Sequence, residues 1–200
     1  MGAPVDRSFL FLLGSARQGG NTEALARAAA EQLPAGVEQR WLDLTRLPLA
    51  GYVDARHSGE SWPEVRGPEA ENEALLREAT VAATDIVIAS PLYWYSVSSW
   101  TKAYLDHWSK WLTVPGLDFR ARMAGGTLWG VAAMGDRDET VAEPLRLMLG
   151  NTAAYLRMDY GGLLLGNGSA PGQVLDDTRA LTRAKTFFAR RTPVAPAAGQ

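Results

Sequence analysis

Apolar runs of strand length alternate with amphipathic segments of helix length along most of this sequence. The alternation predicts βαβ units, whose strands form a parallel sheet that helices cover on both faces. The predicted strands span residues 8–13, 37–42, 84–90, 126–134 and 160–165. The predicted helices span residues 21–33, 71–83, 96–112, 139–156 and 175–191.

The number of these elements selects among the α/β architectures. Five strands with five helices fit a flavodoxin-like three-layer sandwich, with a five-stranded parallel sheet in the order 2-1-3-4-5, better than a six-stranded dinucleotide fold. The 200 residues suffice for one large core. We therefore predict a single domain over residues 1–191, followed by a disordered tail at 192–200, which is rich in Pro and Ala. Such a sheet binds ligands beyond the carboxyl ends of its strands.

The composition excludes several kinds of chemistry. Without cysteine, the sequence has no disulfide, thiolate nucleophile or cysteine-ligated metal centre. His57 and His107 are the only histidines and lack metal-ligand spacing, so no metal site is predicted. A formal net charge of -2 without a basic run argues against nucleic acid as a partner. The first apolar stretch, residues 9–13, is too short for a membrane span or a signal peptide, so a cytoplasmic protein is expected.

A Gly-rich loop joins the first predicted strand to the first predicted helix, with the sequence Gly14-Ser15-Ala16-Arg17-Gln18-Gly19-Gly20-Asn21-Thr22. Small residues let the backbone approach a ligand, and the free N–H groups and dipole of a helix N-terminus favour an anion. Ser15, Asn21 and Thr22 offer hydrogen-bond donors, and Arg17 offers a fixed positive charge. The loop predicts a phosphate site, although a Gly-rich turn with an ordinary helix cap also explains it.

Two well-known phosphate motifs do not fit this loop. A P-loop requires Lys and then Ser or Thr after its second glycine, where this chain has Gly20 and Asn21. The G-x-G-x-x-G motif requires a glycine where Ala16 stands. The sequence also lacks a G-x-S-x-G elbow, which argues against a serine hydrolase.

A second loop follows the third predicted strand and carries three consecutive aromatic residues, Tyr93, Trp94 and Tyr95. In the predicted order the first and third strands are neighbours, so this loop and the Gly-rich loop face one cleft. Aromatic side chains offer flat surface to a conjugated ring such as an isoalloxazine, and backbone groups can bind its polar edge. Taken alone, the turn is better explained as a cover for the end of the core, and its pairing with the phosphate loop reverses that preference.

These two loops, the order of the elements and a helix with Lys102 and Asp106 together resemble the NADPH-dependent FMN reductase family, over residues 9–188. The resemblance implies that the first loop holds the FMN phosphate through Ser15, Arg17, Asn21 and Thr22. It implies that the second loop borders the flavin ring through Pro91, Leu92, Tyr93, Trp94 and Val97. A third loop, after the fourth strand, would complete the ring site with Gly135 and Asp136, although it departs from the Gly and Ser composition usual there.

The resemblance also implies an activity. The chain is expected to be an FMN-dependent NAD(P)H oxidoreductase that uses NADPH or NADH to reduce a small acceptor, such as a quinone, a flavin or an azo compound. The flavin would carry the hydride, so no catalytic side chain is expected. A homodimer or homotetramer is expected. Two alternatives remain, a flavodoxin-type electron carrier and a flavin-free binding protein on the same fold. Carriers are usually shorter and strongly acidic, which favours the reductase.

Two further segments have two explanations each. The irregular stretch at residues 47–68 could wall the open face of the cleft, or it could be a surface loop without a role; its large side chains are Tyr52, His57 and Trp62. The helix after the aromatic turn carries four aromatic residues, which indicate core packing first and a dimer contact second. They are Trp100, Tyr104, Trp108 and Trp111.

Overall fold

The computed structural model describes residues 7–59 and 61–189 as an α/β sandwich built on one parallel sheet. Its strands are β1 (Ser8–Leu13), β2 (Glu38–Asp43), β3 (Asp85–Ala89), β4 (Thr127–Met134) and β5 (Asp159–Asn167). Hydrogen bonding places them in the order β2-β1-β3-β4-β5, and neighbouring strands run parallel. This is the flavodoxin-like order, so the fold predicted from the sequence is confirmed.

The described residues form six α-helices, which are α1 (Asn21–Ala30), α2 (Pro68–Ala82), α3 (Ser99–Trp111), α4 (Phe119–Met123), α5 (Glu143–Tyr155) and α6 (Thr178–Phe187). Short 3-10 helices occur at Leu44–Arg46, Glu139–Ala142 and Gln173–Asp176. The short helix α4 is absent from the sequence-based prediction. None of the helices in residues 7–59 and 61–189 combines the length and apolar character that crossing a membrane requires.

Some boundaries differ from the predicted ones for local reasons. Helix α2 begins at Pro68, because proline is tolerated in a first turn, where its missing N–H has no helical partner. Helix α3 begins only at Ser99, because Ser98 caps it by accepting a hydrogen bond from the Thr101 N–H (3.3 Å). Strand β5 continues to Asn167, so the loop beyond it starts at Gly168. The predicted tail at 192–200 lies outside the described residues.

The two faces of the sheet support separate parts of the core, because side chains alternate along each strand. Helices α2 to α5 cover one face, whose buried strand residues include Leu10, Leu12, Ile86 and Ile88. Helices α1 and α6 cover the other face, whose buried strand residues include Phe9, Phe11, Val87 and Ala89. The aromatic residues of α3 are mainly core residues, since Tyr104, Trp108 and Trp111 are buried. Trp100 is partly exposed, at 38%.

Candidate functional site

Hydrogen bonds continue past the strand ends and bring the loops at the carboxyl edge of the sheet together. The Gly14 N–H donates to the Ala89 carbonyl (2.9 Å), which ties the end of β1 to the end of β3. The Leu92 N–H donates to the Ala133 carbonyl (3.4 Å), which ties the loop after β3 to β4. The Gly-rich loop and the aromatic loop therefore lie side by side, as the strand order predicted.

The phosphate loop, residues 14–20, ends at the N-terminus of α1. Gly20 is the N-cap and no side chain caps this end, so the N–H groups of the first turn are left without a helical partner. Ser15 Oγ accepts from the Arg17 N–H (3.2 Å) and keeps its own proton for another acceptor. Arg17 is exposed, donates through Nη1 to the Ser169 carbonyl (3.0 Å), and has no acidic partner among the described residues. This arrangement favours an anion.

Gly14 fixes how closely the phosphate loop approaches α3. A Cβ atom at this position would lie 1.9 Å from Thr101 Oγ1 and 3.0 Å from Ser98 Oγ. Any larger residue would therefore separate the loop from the first turn of α3.

Two residues predicted to donate to the phosphate have side-chain partners within the protein: Asn21 uses both of its N–H donors, whereas the Thr22 hydroxyl accepts a hydrogen bond and keeps its proton. Asn21 Nδ2 donates to the carbonyls of Gly168 and Ala170, both at 2.8 Å. Thr22 Oγ1 accepts from the Ala133 N–H (3.3 Å). Asn21 and Thr22 are both buried. Their backbone N–H groups belong to the first turn of α1, so a contact with phosphate through the backbone stays a prediction.

The aromatic turn, residues 93–96, has an unusual backbone. The Tyr93 N–H donates to the Ser96 carbonyl (2.9 Å), and the Ser96 N–H donates back to the Tyr93 carbonyl (3.0 Å). The two residues between them, Trp94 and Tyr95, have φ angles of 47° and 65°. These left-handed conformations cost about 1–2 kcal/mol each for residues other than glycine. Trp94 is 92% exposed at the tip of the turn.

A cleft of about 230 Å³ lies between the phosphate loop, the aromatic loop, the end of β4 and the loop after β5. The described residues that line it are Ser15, Arg17, Gly20, Asn21, Thr22, Pro91, Leu92, Tyr93, Ala133, Met134, Gly135, Gly168 and Ser169. Among these, Arg17 is the one residue that is charged at neutral pH. The lining of a neighbouring cavity of about 350 Å³ has more carboxylates than cations: it includes Asp136, Glu139, Asp176 and Asp177 together with Arg137 and Arg179. The charge of the lining therefore favours a phosphate in the first cleft over the second.

The cleft brings together most of the predicted site residues and leaves out three. Ser15, Arg17, Asn21, Thr22, Pro91, Leu92, Tyr93 and Gly135 line it. Trp94 projects into solvent, Val97 is buried in the core beneath the turn, and Asp136 lines the neighbouring cavity. The prediction missed Gly168 and Ser169, which follow β5. Because β5 is parallel to the other strands, the rule that located the first two loops also applies to these residues.

The long loop after β2 lies along α3 and contributes no described residue to the cleft lining. His107 Nε2 of α3 lies 3.0 Å from the Ala50 carbonyl, and the ring of Tyr52 lies 6.0 Å from that of His107. Trp62 Nε1 donates to Thr113 Oγ1 (3.0 Å), just beyond α3. The described residues of the loop therefore cover α3, and none of them lines the cleft.

A buried carboxylate, that of Glu73, connects α2 to α3 away from the cleft. The Glu73 carboxylate of α2 accepts from Lys110 Nζ (2.8 Å) and from Trp111 Nε1 (3.1 Å), and His107 Nδ1 lies 3.7 Å away. Burial by itself raises the pKa of Glu73, but the interactions with His107, Lys110 and Trp111 outweigh it and lower the pKa to about 2. Glu73 is therefore ionised at neutral pH and joins α2 to α3.

Comparison with known proteins identifies the family of this chain. A model of the NADPH-dependent FMN reductase family matches residues 8–159. YwqN of Bacillus subtilis (strain 168), whose name proposes an NAD(P)H-dependent FMN-containing oxidoreductase, is 28% identical over 178 residues, which cover 88% of this chain and 94% of YwqN.

Solved structures share the fold. The Trp repressor binding protein from Bacillus subtilis has a TM-score of 0.71 and 24% identity, covering 92% of this chain and 99% of its own. The NAD(P)H:quinone oxidoreductase from Methanothermobacter marburgensis has a TM-score of 0.62 and 17% identity, covering 92% of this chain and 98% of its own.

Proposed function

The chain belongs to the NADPH-dependent FMN reductase family and is an FMN-dependent NAD(P)H oxidoreductase, and from this premise we propose that the cleft at the carboxyl edge of the sheet holds FMN. The proposed phosphate end is formed by the phosphate loop and the first turn of α1, with Ser15, Arg17 and the Thr22 hydroxyl as side-chain donors and Asn21 as a backbone donor. The proposed ring end is bordered by Pro91, Leu92, Tyr93 and Gly135.

The observation that carries this proposal is the charge distribution of the cleft. Its lining contains no carboxylate among the residues that the structure describes, and its one cation, Arg17, is free of an acidic partner there. A phosphate dianion would gain from the guanidinium and from the N-terminus of α1. The carboxylate closest in sequence, that of Glu23 in the first turn of α1, does not line the cleft and is paired with Arg27 and with the Gly19 N–H (2.9 Å). The residues present therefore fit a flavin mononucleotide.

Three further predicted site residues do not line the cleft, and we propose supporting roles for them. Val97 is buried in the core, so it supports the aromatic turn from below. Trp94 and Asp136 each follow a lining residue in sequence, Tyr93 and Gly135, and we propose that they border the face that a reduced nicotinamide and the acceptor approach. The strained conformation of Trp94 is consistent with such a position, since backbone strain is concentrated at functional sites.

The chemistry requires placement rather than proton transfer from a side chain. When bound, FMN supplies the hydride-accepting and hydride-donating chemistry that links a reduced nicotinamide to an acceptor. The aromatic turn presents flat apolar surface beside the cleft, with Tyr93 45% exposed and Tyr95 56% exposed. We therefore propose a planar aromatic acceptor, with a quinone first and an azo compound or a free flavin as the other candidates.

The test is the absorption spectrum of the purified protein after incubation with FMN and removal of the excess. Retained flavin absorption that NADPH or NADH bleaches, and that a soluble quinone restores, supports the proposal. A protein that stays colourless contradicts FMN binding and leaves a flavin-free binding protein. Bound flavin that dithionite reduces but neither nicotinamide reduces would indicate an electron carrier instead.

We also propose that the chain forms a homodimer or homotetramer in the cytoplasm. A mainly apolar groove of about 410 Å³ runs between α3 and α5 and is lined by Leu105, Leu112 and Met148, with Tyr155 59% exposed beside it. Introducing a charge by Met148→Asp is expected to shift the molecular mass toward that of a monomer in analytical ultracentrifugation. A monomeric mass for the unmodified protein at micromolar concentration would contradict the proposal.

A further inference from the structure

We propose that Asn21 is a positioning residue that fastens the loop after β5 to the first turn of α1 and thereby completes the phosphate end of the cleft. We call residues 168–173 of this loop the strap. This inference rests on the proposed function, because it concerns how the chain shapes the site assigned above to FMN. It replaces the sequence-based expectation that the Asn21 side chain itself binds phosphate.

The hydrogen bonds of Asn21 are all directed at the strap and its continuation. Its Nδ2 donates to the carbonyls of Gly168 and Ala170, each at 2.8 Å, and its Oδ1 accepts from the Val174 N–H at 3.3 Å. The residue is only 9% exposed. Because an amide group has two N–H donors and both are used here, no side-chain donor is left for a phosphate.

The strap is held close to the phosphate loop at more than one point. A Cβ atom at Gly168 would lie 3.0 Å from Asn21 Nδ2 and 2.7 Å from the Val174 nitrogen, so this contact depends on glycine. One residue further, the Ser169 carbonyl accepts from Arg17 Nη1 (3.0 Å). The strap therefore contacts both the buried first turn of α1, through Asn21, and the exposed phosphate loop, through Arg17.

Within the strap, the Gln173 side chain fixes the backbone conformation of residues 169 and 170, and Asn21 joins that backbone to α1. Its Oε1 accepts from the N–H groups of Ser169 (2.8 Å) and Ala170 (3.0 Å). Gly168 and Ser169 line the cleft, whereas Gln173 does not. Replacing Asn21 or Gln173 by alanine should therefore displace one wall of the cleft without removing a side chain that the proposal places in contact with FMN.

The experiment combines two measurements on Asn21→Ala. Hydrogen exchange of the FMN-free protein reports on the strap, and we expect roughly tenfold faster exchange in residues 168–174, because three hydrogen bonds are lost. Fluorescence titration reports on FMN, and we expect roughly tenfold weaker binding. Ser15→Ala is the matched control, since it removes a proposed direct donor and should weaken FMN binding while strap exchange stays unchanged.

The outcomes separate this inference from the proposed function. Faster strap exchange together with weaker FMN binding supports the positioning role. Weaker binding with unchanged strap exchange would mean that Asn21 acts on the phosphate directly, and faster exchange with unchanged binding would mean that the strap is no part of the site. Either result overturns the inference but not the proposed function. Absent FMN binding in the unmodified protein contradicts the proposed function, and with it the role of Asn21 in that site. Gln173→Ala serves the same two measurements if Asn21→Ala does not fold.

Discussion

Replacing Arg17 by alanine tests the phosphate end of the site most directly. Arg17 is the one residue lining the cleft that is charged at neutral pH, and its guanidinium is anchored at one point, through Nη1 to the Ser169 carbonyl (3.0 Å). The remaining N–H groups of the Arg17 guanidinium are available to an anion. The variant should therefore lose affinity for FMN and keep most of its affinity for riboflavin, which has the same ring and no phosphate.

The expected size of the loss follows from these contacts. A hydrogen bond to a charged group contributes about 1.5–3 kcal/mol, and the exposure of Arg17 places its contribution at the lower end. That value corresponds to a dissociation constant for FMN about tenfold higher. Loss of the bond to Ser169 adds about 0.5–1 kcal/mol and affects both ligands. We expect FMN binding to weaken roughly 20- to 50-fold and riboflavin binding roughly two- to fivefold.

The assay is titration of the flavin-free protein with each ligand, followed by quenching of flavin fluorescence, at low and at high ionic strength. High salt should reduce the difference in FMN affinity between Arg17→Ala and the unmodified protein, because the lost interaction is electrostatic. Arg40→Ala is the control, since Arg40 is an exposed arginine on the edge strand β2 and removes the same charge elsewhere. Equal losses for FMN and riboflavin, or an unchanged affinity for FMN, would refute the placement of the phosphate beside Arg17.

Three other predictions concern stability. Glu73→Gln should lower the free energy of unfolding in urea by about 2 kcal/mol at pH 7. Because folding lowers the pKa of Glu73 from 4.5 to about 2, its stabilising contribution is complete above pH 4.5 and is lost as the pH falls toward 2. The free energies of unfolding of the variant and the unmodified protein should therefore converge in acid. Gly14→Ala should lower the melting temperature, because its Cβ would meet Thr101 Oγ1 at 1.9 Å, and Thr101→Ala in the same chain should restore part of the loss. Trp94→Gly should raise the free energy of unfolding by about 1 kcal/mol in the same urea assay, because glycine adopts positive φ without strain; an unchanged value would mean that the turn is unstrained.

The fold and the approximate place of the site were predictable from the sequence because both depend on local patterns. The alternation of strand-like and helix-like periods is set by neighbouring residues, and five such strands indicate the order that the sheet has. Once the sheet is parallel, the loops after β1 and β3 must meet at its carboxyl edge. The sequence therefore correctly predicts that the Gly-rich loop and the aromatic loop lie side by side at the carboxyl edge of the sheet.

The uses of individual side chains could not be predicted in the same way. The sequence shows Asn21 beside a Gly-rich loop, but its hydrogen-bond partners lie 147, 149 and 153 residues away, beyond β5. The partner of Thr22 lies 111 residues away, in β4. Similarly, the loop after β2 was open to two explanations until its contacts with α3 were known.

What the sequence determined by itself is the sheet, its order and the two loops that approach each other, because hydrophobic periodicity and chain topology are sufficient to specify them. Only the tertiary structure decided that the Asn21 side chain holds the strap, that Gly168 and Ser169 belong to the cleft, and that Trp94 points into solvent. The physical reason is that a polar side chain takes whichever partner folding brings within about 3 Å, and that partner is unrelated to its neighbours in sequence.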